Sequence, residues 1–370
     1  TGTLAIGNAV RKPRRTATTA SALMIGLALV AFFFILGDSI KTSVSASIEE
    51  GLRADYVISV DGFAGGFSPS LAEDLKTQPE IETTTSLRLG FWDNDGVDEF
   101  VMGIEAETID QTIFLDVQDG SVTALTTGGV LVFEDTADDA GWVVGDTIEM
   151  GFASTGLQEV EVVGIYAESN VVQSNFLIGM EFYKANFSGF GTDTDFVVAV
   201  AAAEGSDPAA ARAVVDAAAA EYGNVTVRDQ VEYRESQEAQ VDTLLVMFNA
   251  LLILAVIIAL FGIMNTLSLS IFERTREIGL VRAVGMTKAQ TRRMIRWESV
   301  MVAVIGAILG IVVGLFFGIV VTAALSSQGI NQLSIPGLQI AGLVLFGICL
   351  LYTSPSPRDW IWHRVCRLLL

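Results

Sequence analysis

The chain is poor in the residues that most often build catalytic and metal sites. Its 370 residues include only two cysteines, Cys349 and Cys366, and one histidine, His363, all near the C-terminal end. The rest of the chain therefore cannot hold a disulfide framework, a metal ligated by Cys or His, or a Ser-His-Asp or Cys-His catalytic site. The phosphate-binding pattern G-x-x-x-x-G-K-[ST] is also absent, which excludes ATP hydrolysis by that route.

Basic residues are scarce in one long block of the sequence. Residues 38–240 contain 38 acidic and 8 basic residues, a net charge of −30, whereas the whole chain carries −21. An acidic block of this size would repel phosphate, so we expect no nucleic-acid partner. The remaining basic residues cluster beside apolar segments, as in membrane proteins with basic cytoplasmic edges.

Long apolar runs dominate the rest of the chain, which is 51% hydrophobic with a mean hydropathy of +0.51. The runs Thr16–Leu36, Leu244–Leu269 and Val300–Ala324 are each long enough to cross a bilayer, which takes about 20 residues. A fourth run begins at Gly337 but ends early, near Tyr352. We predict four transmembrane helices, the last truncated, and a large mixed α/β domain outside the membrane.

The segment Asn265–Glu298, between the second and third apolar runs, is rich in Arg and Lys. A short basic loop between two membrane helices belongs on the cytoplasmic side. We expect Gly279 to loosen the helix leaving the membrane and Gly285 to end a second helical piece. Thr287 and Gln290 then form a T-x-x-Q capping box for the next helix. The apolar residues of this loop need a cover, which is either a partner protein or the chain's own helices.

The same loop resembles the signature of FtsX/MacB-type permeases of ABC transporters. The match runs through ERTREIGLVRAVGMTKAQTRRMIRWES without a break in register. In that family the loop is a coupling helix that binds an ATP-binding cassette ATPase. The resemblance thus implies that ATP and Mg²⁺ are held by the partner ATPase, and that this chain binds no cofactor and no metal and has no catalytic residue. The ATPase-coupling residues it implies are Glu273, Arg274, Arg276, Glu277, Ile278, Gly279, Leu280, Val281, Arg282 and Gly285.

The resemblance extends to the acidic block, where GGVLVFEDTADDAGWVVGDTIEMGF is similar to the MacB-like extracytoplasmic core domain. It implies four parts. Residues 1–37 are a cytoplasmic segment and the first membrane helix, and residues 38–240 are the core domain with a stalk. Residues 241–352 are an FtsX-like permease domain with its coupling loop at 271–297, and residues 353–370 are an atypical, non-native tail. The opening of the chain resembles the start of the C-terminal repeat in large duplicated permeases, so we expect a fragment of a longer protein.

These features predict the permease subunit of an ABC transporter in a bacterial cytoplasmic membrane. ATP hydrolysis by the partner would drive a conformational change of the exterior domain, in efflux or in lipoprotein or peptide export. The expected partners are the ATPase, a second permease copy or repeat, membrane lipid and an extracytoplasmic protein. The alternative is an FtsX-like regulator that activates a cell-wall hydrolase without transport. A membrane-anchored ectoenzyme or sensor is disfavoured by the lack of Cys and His.

Two further patterns have a structural interpretation. Gly306, Gly310, Gly314 and Gly318 repeat at four-residue spacing along the third apolar run, which predicts close helix packing, with or without sliding during transport. The acidic stretch Asp93–Glu99 does not fit the spacing of an EF-hand, and we expect a hairpin turn there.

Overall fold

The computed structural model describes residues 13–60, 65–94, 96–167, 171–172, 174–187, 193–223, 225–273, 275–326, 329–342 and 345. They form two compact units. One comprises Ser43–Ala239 and is called the exterior domain here. The other, the helical unit, contains the chain before Ser43, the segment Gln240–Ser326 and the residues from Ile330 onward.

The helices and strands alternate within the exterior domain, and the longest helices flank it. The helices are α1 (Pro13–Gly51), α2 (Ser70–Leu75), α3 (Ile109–Thr112), α4 (Glu134–Ala140), α5 (Met180–Asn186), α6 (Pro208–Ala219), α7 (Gln230–Glu273), α8 (Thr275–Ala283) and α9 (Lys288–Ala324). The strands are β1 (Tyr56–Val60), β2 (Ile81–Asn94), β3 (Val97–Ile104), β4 (Val117–Gly120), β5 (Val130–Phe133), β6 (Thr147–Phe152), β7 (Gly156–Tyr166), β8 (Phe176–Gly179), β9 (Val197–Ala202) and β10 (Val225–Asp229).

The strands of the exterior domain form one mixed sheet in the order β10-β1-β9-β2-β3-β8-β5-β7-β4, and β6 pairs with β2 and β7. The predicted hairpin is confirmed: β2 and β3 pair antiparallel, and Asn94 lies opposite Val97. Gly96 has a φ of +87° in its turn, and its N–H donates to the Asp93 carboxylate at 2.5 Å. β2 begins at Ile81, and its threonine-rich first half pairs with β9.

Three clusters of buried apolar side chains fill the exterior domain. One packs beneath β2, β3 and α3, around Leu87, Ile104 and Ile109. The second surrounds Trp92 and Phe176, whose ring centroids are 4.9 Å apart. The third joins α2 and α6 to β1 and β9. The mixed α/β character predicted for this region is therefore confirmed.

Three helices are long and apolar enough to cross a membrane, counted over the residues that the structure describes. They are Leu23–Gly51, Gln230–Leu254 and Val304–Ala324. Residues 337–342 are helical, but most of the predicted fourth span and the whole tail 353–370 lie outside the described residues. The count of four therefore stays a prediction.

Two helices run without a break from the exterior domain into the apolar segments. α1 has 39 residues and α7 has 44. The polar first part of α7 begins at Gln230 and continues directly into the second apolar run.

Candidate functional site

The basic loop between the second and third apolar helices is a folded element. α7 ends at Glu273, α8 covers Thr275–Ala283, and α9 starts at Lys288. Gly285 separates α8 from α9 with a φ of +113°, a conformation that side chains with a Cβ rarely adopt.

Local hydrogen bonds fix where α9 begins. The backbone N–H of Gln290 donates to the Thr287 hydroxyl at 3.3 Å, and the Thr287 N–H donates to the Gln290 side chain at 2.9 Å. The predicted capping box is therefore confirmed. Because α9 is capped directly after the turn, α8 has a defined connection to the next apolar helix.

Gly279 was expected to loosen the helix, with a second helical piece after it, but α8 runs unbroken from Thr275 to Ala283. Gly279 lies in the middle of α8, and a Cβ built on it would have no atom within 4 Å. A glycine in a helix interior costs only about 1 kcal/mol relative to alanine. The good helix formers around it outweigh that cost.

The outer face of α8 combines exposed apolar and basic side chains. Leu280 is 70% exposed and Val284 84% exposed. Val284 directly follows the last residue of α8, and its N–H still donates to the Leu280 carbonyl at 3.1 Å, so the two side chains point to the same side. Arg276, four residues before Leu280, is exposed on the same face. Arg282 is exposed on another side of α8, in the last turn, where a cation is favoured by the helix dipole.

The structure places most of the predicted coupling residues on this element, at its start or in its turn. Glu273, Gly279 and Gly285 are exposed like the two arginines and Leu280. Arg274 and the side chains of Glu277, Ile278 and Val281 lie outside the described residues.

The four spaced glycines of α9 face α1, three of them against its backbone. A Cβ at Gly306 would lie 2.9 Å from the Ala20 carbonyl oxygen, and one at Gly314 would lie 2.6 Å from the Ala28 carbonyl oxygen. At Gly310 the same atom would be 2.7 Å from the Met24 carbonyl oxygen. Real Cβ atoms essentially never come this close to another atom, so only glycine permits this approach. At Gly318 the nearest neighbour would be the Ile35 side chain, at 2.9 Å.

α1 also contacts α7 within the helical unit. The Phe33 and Phe248 rings stack with centroids 5.3 Å apart, and a Cβ at Gly37 would overlap the Leu245 side chain. Lys41 and Asp242 form an ion pair at 2.6 Å. α1 thus packs against both α7 and α9.

Charged groups buried in the exterior domain have structural partners that the sequence did not reveal. Arg88 Nε donates to Asp195 at 2.8 Å, and the Ser86 hydroxyl donates to the other oxygen of the same carboxylate at 2.8 Å. Burial raises the pKa of Asp195 above its usual value, although hydrogen bonds from Arg88 and Ser86 oppose the rise. Burial acts to lower the pKa of Arg88, but hydrogen bonds to Asp195 and Asp193 outweigh it and raise that pKa.

This buried cluster joins β2 to the segment before β9 and has the geometry of a structural ion pair. Among the residues that the structure describes, no group of three or more His, Cys, Asp or Glu side chains is arranged to hold a metal ion.

Two family models match consecutive parts of the chain. The MacB-like periplasmic core domain matches residues 16–218, and the FtsX-like permease C-terminal domain matches residues 249–354. The first covers more than half of the sequence. The first match ends within α6 and the second begins within α7, so residues 219–248 belong to neither.

Individual relatives and solved structures share parts of this arrangement. The ABC transporter permease YtrF of Bacillus subtilis is 39% identical over 56 residues, which are 15% of this chain and 13% of YtrF. The pyoverdine export ATP-binding/permease protein PvdT of Pseudomonas fluorescens is 23% identical over 80% of this chain and 48% of its own length. The periplasmic region of MacB from Actinobacillus actinomycetemcomitans aligns with 50% of this chain and 94% of its own length, with a TM-score of 0.38 and 13% identity.

The fold and the loop define a class, namely membrane proteins in which long apolar helices carry a large mixed α/β domain outside the membrane. Within that class, this chain belongs to the FtsX/MacB-type family of ABC transporter permeases. It spans at most about half the length of the relatives described above.

Proposed function

We propose that this chain is the permease subunit of an ABC exporter and that α8 binds the partner ATPase. The observation that supports this most directly is the exposure of Leu280, on a basic helix between two apolar helices, and of Val284 directly after it. Apolar side chains that are this exposed indicate a binding surface for a partner protein, because side chains packed on the chain's own helices would be buried.

The composition of α8 determines what kind of surface would receive it. Leu280 and Val284 would fill an apolar groove, and Arg276 and Arg282 would pair with carboxylates at its rim. The family resemblance adds Glu273, Arg274 and Glu277 to the polar contacts, and Ile278 and Val281 to the apolar ones. The partner would hold ATP and Mg²⁺, and this chain would contribute no catalytic residue.

The continuity of α7 supplies the route for the conformational change. A displacement of α8 would pass to the end of α7 at Glu273 and along this unbroken helix to Gln230. In this proposal the protein works in a bacterial cytoplasmic membrane with a second permease copy or repeat. The exterior domain then acts on an extracytoplasmic partner or on the exported molecule.

Replacing the exposed apolar pair tests the docking surface. We expect Leu280→Asp combined with Val284→Asp to abolish co-purification of the partner cassette ATPase, while the permease still inserts in the membrane. The matched control is Leu157→Asp, since Leu157 is 69% exposed but lies in the exterior domain. Unchanged ATPase binding by the double variant would remove α8 as the docking site.

Charge reversal in the same loop tests coupling. We expect Glu277→Lys or Arg282→Glu to leave insertion intact and to uncouple ATP hydrolysis from export in reconstituted vesicles. Normal coupled activity in both variants would exclude these residues from the mechanism. The regulator alternative predicts that the chain co-purifies with a cell-wall hydrolase and changes its activity. Export without any change in such a hydrolase would therefore favour the exporter proposal over that alternative.

Labelling in intact cells tests the orientation of the loop. A cysteine introduced at Thr287, with Cys349 and Cys366 replaced by serine, should resist membrane-impermeant maleimide and react only after permeabilisation. Reaction in intact cells would place α8 outside and contradict the proposal as a whole.

A further inference from the structure

The contact of α1 with α9 runs along most of the apolar part of α1. It starts where Gly306 meets Ala20 and reaches the point where Gly318 meets Ile35. Leu27, between these two points, is almost fully buried. If α9 slid along its axis, the side chains between its glycines would have to pass places where even a Cβ has no room. The close packing therefore holds α9 at one position along α1.

A cluster of hydrogen bonds fastens the loop after α9 to the outer end of α1. The N–H of Ser334 donates to the Ser39 hydroxyl at 3.0 Å, and that hydroxyl donates to the Ser334 carbonyl oxygen at 3.3 Å. The Ser334 hydroxyl donates to the Asp38 carboxylate at 2.5 Å. We call Asp38, Ser39 and Ser334 the outer clasp. Because Ser39 is fully buried, water does not compete for its two bonds to the loop.

The contacts of α1 with α7 that the structure describes lie near the outer ends of both helices. Besides the aromatic stack and the ion pair described above, they include the Leu245 side chain over Gly37. Farther along α7, Leu251 is 61% exposed and Ile258 63% exposed. Because these side chains do not pack on α1, α7 has fewer interactions to lose than α9 if it changes position.

The connections of α8 fit this difference. α7 ends at Glu273 and α8 starts at Thr275, so a displacement of α8 has almost no slack before it reaches α7. The turn between α8 and α9 contains Gly285, whose backbone can change conformation without a steric clash of a Cβ. α8 can therefore turn about Gly285 while α9 stays in place.

We propose that α1 and α9 form a fixed helix pair, closed at its outer end by the outer clasp, and that α7 alone shifts within the helical unit when the partner ATPase moves α8. The three residues of the outer clasp are positioning residues for the loop. The source of the movement rests on the proposed function, whereas the difference between the two helix contacts is a property of this chain.

Two engineered disulfides test the inference in the full chain bound to its partner ATPase in nanodiscs, with the two native cysteines replaced by serine. The clasp pair is Ser39→Cys with Ser334→Cys, and the Ser39 Oγ already lies 3.0 Å from the Ser334 nitrogen. The α7 pair is Gly37→Cys with Leu245→Cys, since a Cβ at Gly37 would lie 3.0 Å from the Leu245 Cγ. Both pairs are close enough for a disulfide.

The two pairs start two residues apart on α1 and differ in the element that they join to it, so each is the control for the other. Oxidation of the clasp pair should leave ATP turnover at the rate of the unmodified complex. Oxidation of the α7 pair should lower ATP turnover to the rate of the ATPase alone, because α8 can no longer follow the ATPase. A reductant should restore that turnover.

Spin-label distances measure the fixed helix pair itself. One label replaces Leu29 on α1, and the second replaces Val312 on α9 or Leu251 on α7, all of which are exposed. We expect a narrow Leu29–Val312 distribution that ATP does not change. The Leu29–Leu251 distribution should be broader and should shift when ATP is added.

A label at exposed Leu333, next to Ser334, reports on the outer clasp. The distribution between Leu29 and Leu333 should be narrow in the unmodified chain and broaden in Ser39→Ala. The matched control is Ser326→Ala, which removes a local hydroxyl bond of 2.9 Å at the end of α9 and should leave the distribution narrow. An equally narrow distribution in Ser39→Ala would remove the outer clasp from the inference.

Two results would overturn the fixed helix pair. One is loss of ATP turnover when the clasp pair is oxidised, and the other is an ATP-dependent shift of Leu29–Val312 as large as that of Leu29–Leu251. Full turnover in the oxidised α7 pair would overturn the movement of α7.

Failure of the proposed function looks different, because the unmodified chain would then bind no ATPase or leave its turnover unchanged. The distance distributions without nucleotide still test the inference in that case. A Leu29–Val312 distribution no narrower than Leu29–Leu251 would contradict it.

Discussion

The exterior domain and the helical unit differ in how far they bury their large apolar side chains. In the exterior domain such residues as Leu71, Ile104 and Phe176 are fully buried in three clusters. Along the apolar half of α7, Val246 is 68% exposed and Leu251 61% exposed. The first region is stabilised by its own core against water, whereas the second exposes a surface suited to lipid or a further protein chain.

Packing within the two regions differs for the same reason. The hydrophobic effect that drives burial in water is weak between helices surrounded by lipid, so close backbone contact matters more. The glycines of α9 against α1 provide that contact. The exterior domain instead stabilises its interior with side-chain volume and with a buried ion pair. We therefore expect substitutions of different kinds to lower the stability of the exterior domain and of the helical unit.

Removal of one partner of the buried ion pair should have the largest effect. Asp195→Ala leaves the Arg88 guanidinium buried without its main carboxylate, which should destabilise the exterior domain by about 3–5 kcal/mol. Denaturant unfolding followed by near-UV circular dichroism measures the loss. The control is Asp193→Asn, at the exposed partner of Arg88, which should cost less than about 1 kcal/mol. Equal losses in both variants would show that burial does not set the cost.

A large side chain in the glycine row should have the next largest effect, and only in the helical unit. Gly314→Leu would force α9 away from the Ala28 carbonyl, at a cost of about 1–3 kcal/mol. Val312→Leu changes the outward face of the same helix, since Val312 is exposed, and should be nearly neutral. Unfolding in a graded series of denaturing detergent compares the two. If Gly314→Leu were as stable as Val312→Leu, close contact of α9 with α1 would not stabilise the unit.

High pH should lower the stability of the exterior domain. The effect of one tyrosine should be smaller than the two effects described above. Burial raises the pKa of Tyr183 from 10.0 to about 12. The folded state then holds a proton that the unfolded state releases, so its contribution to stability is complete below pH 10 and is lost as the pH rises to about 12. Tyr183→Phe, which also loses a 2.8 Å hydrogen bond to the Leu89 carbonyl, should flatten this part of the stability curve. An unchanged slope would show that Tyr183 ionises normally.

Local features of the basic loop and of the exterior domain could be predicted from the sequence with good accuracy. The capping box at Thr287, the stop at Gly285 and the Asp93–Glu99 hairpin all depend on a few neighbouring residues and are found where they were expected. Gly279 was misjudged, because a glycine weakens a helix without ending it when its neighbours favour helix. The periodicity of Gly306 to Gly318 indicated a packing face but not that α1 would cover it.

The sequence by itself determined the separation of an acidic domain from apolar helices, the basic element between two of those helices and the turns that delimit it. These follow from composition, periodicity and short-range hydrogen bonds. Only the tertiary structure decided that Arg88 pairs with Asp195, 107 residues away, and that Gln230 binds the carbonyl of Leu52, 178 residues away. Such contacts depend on strand order and register, which bring together residues that no local pattern relates.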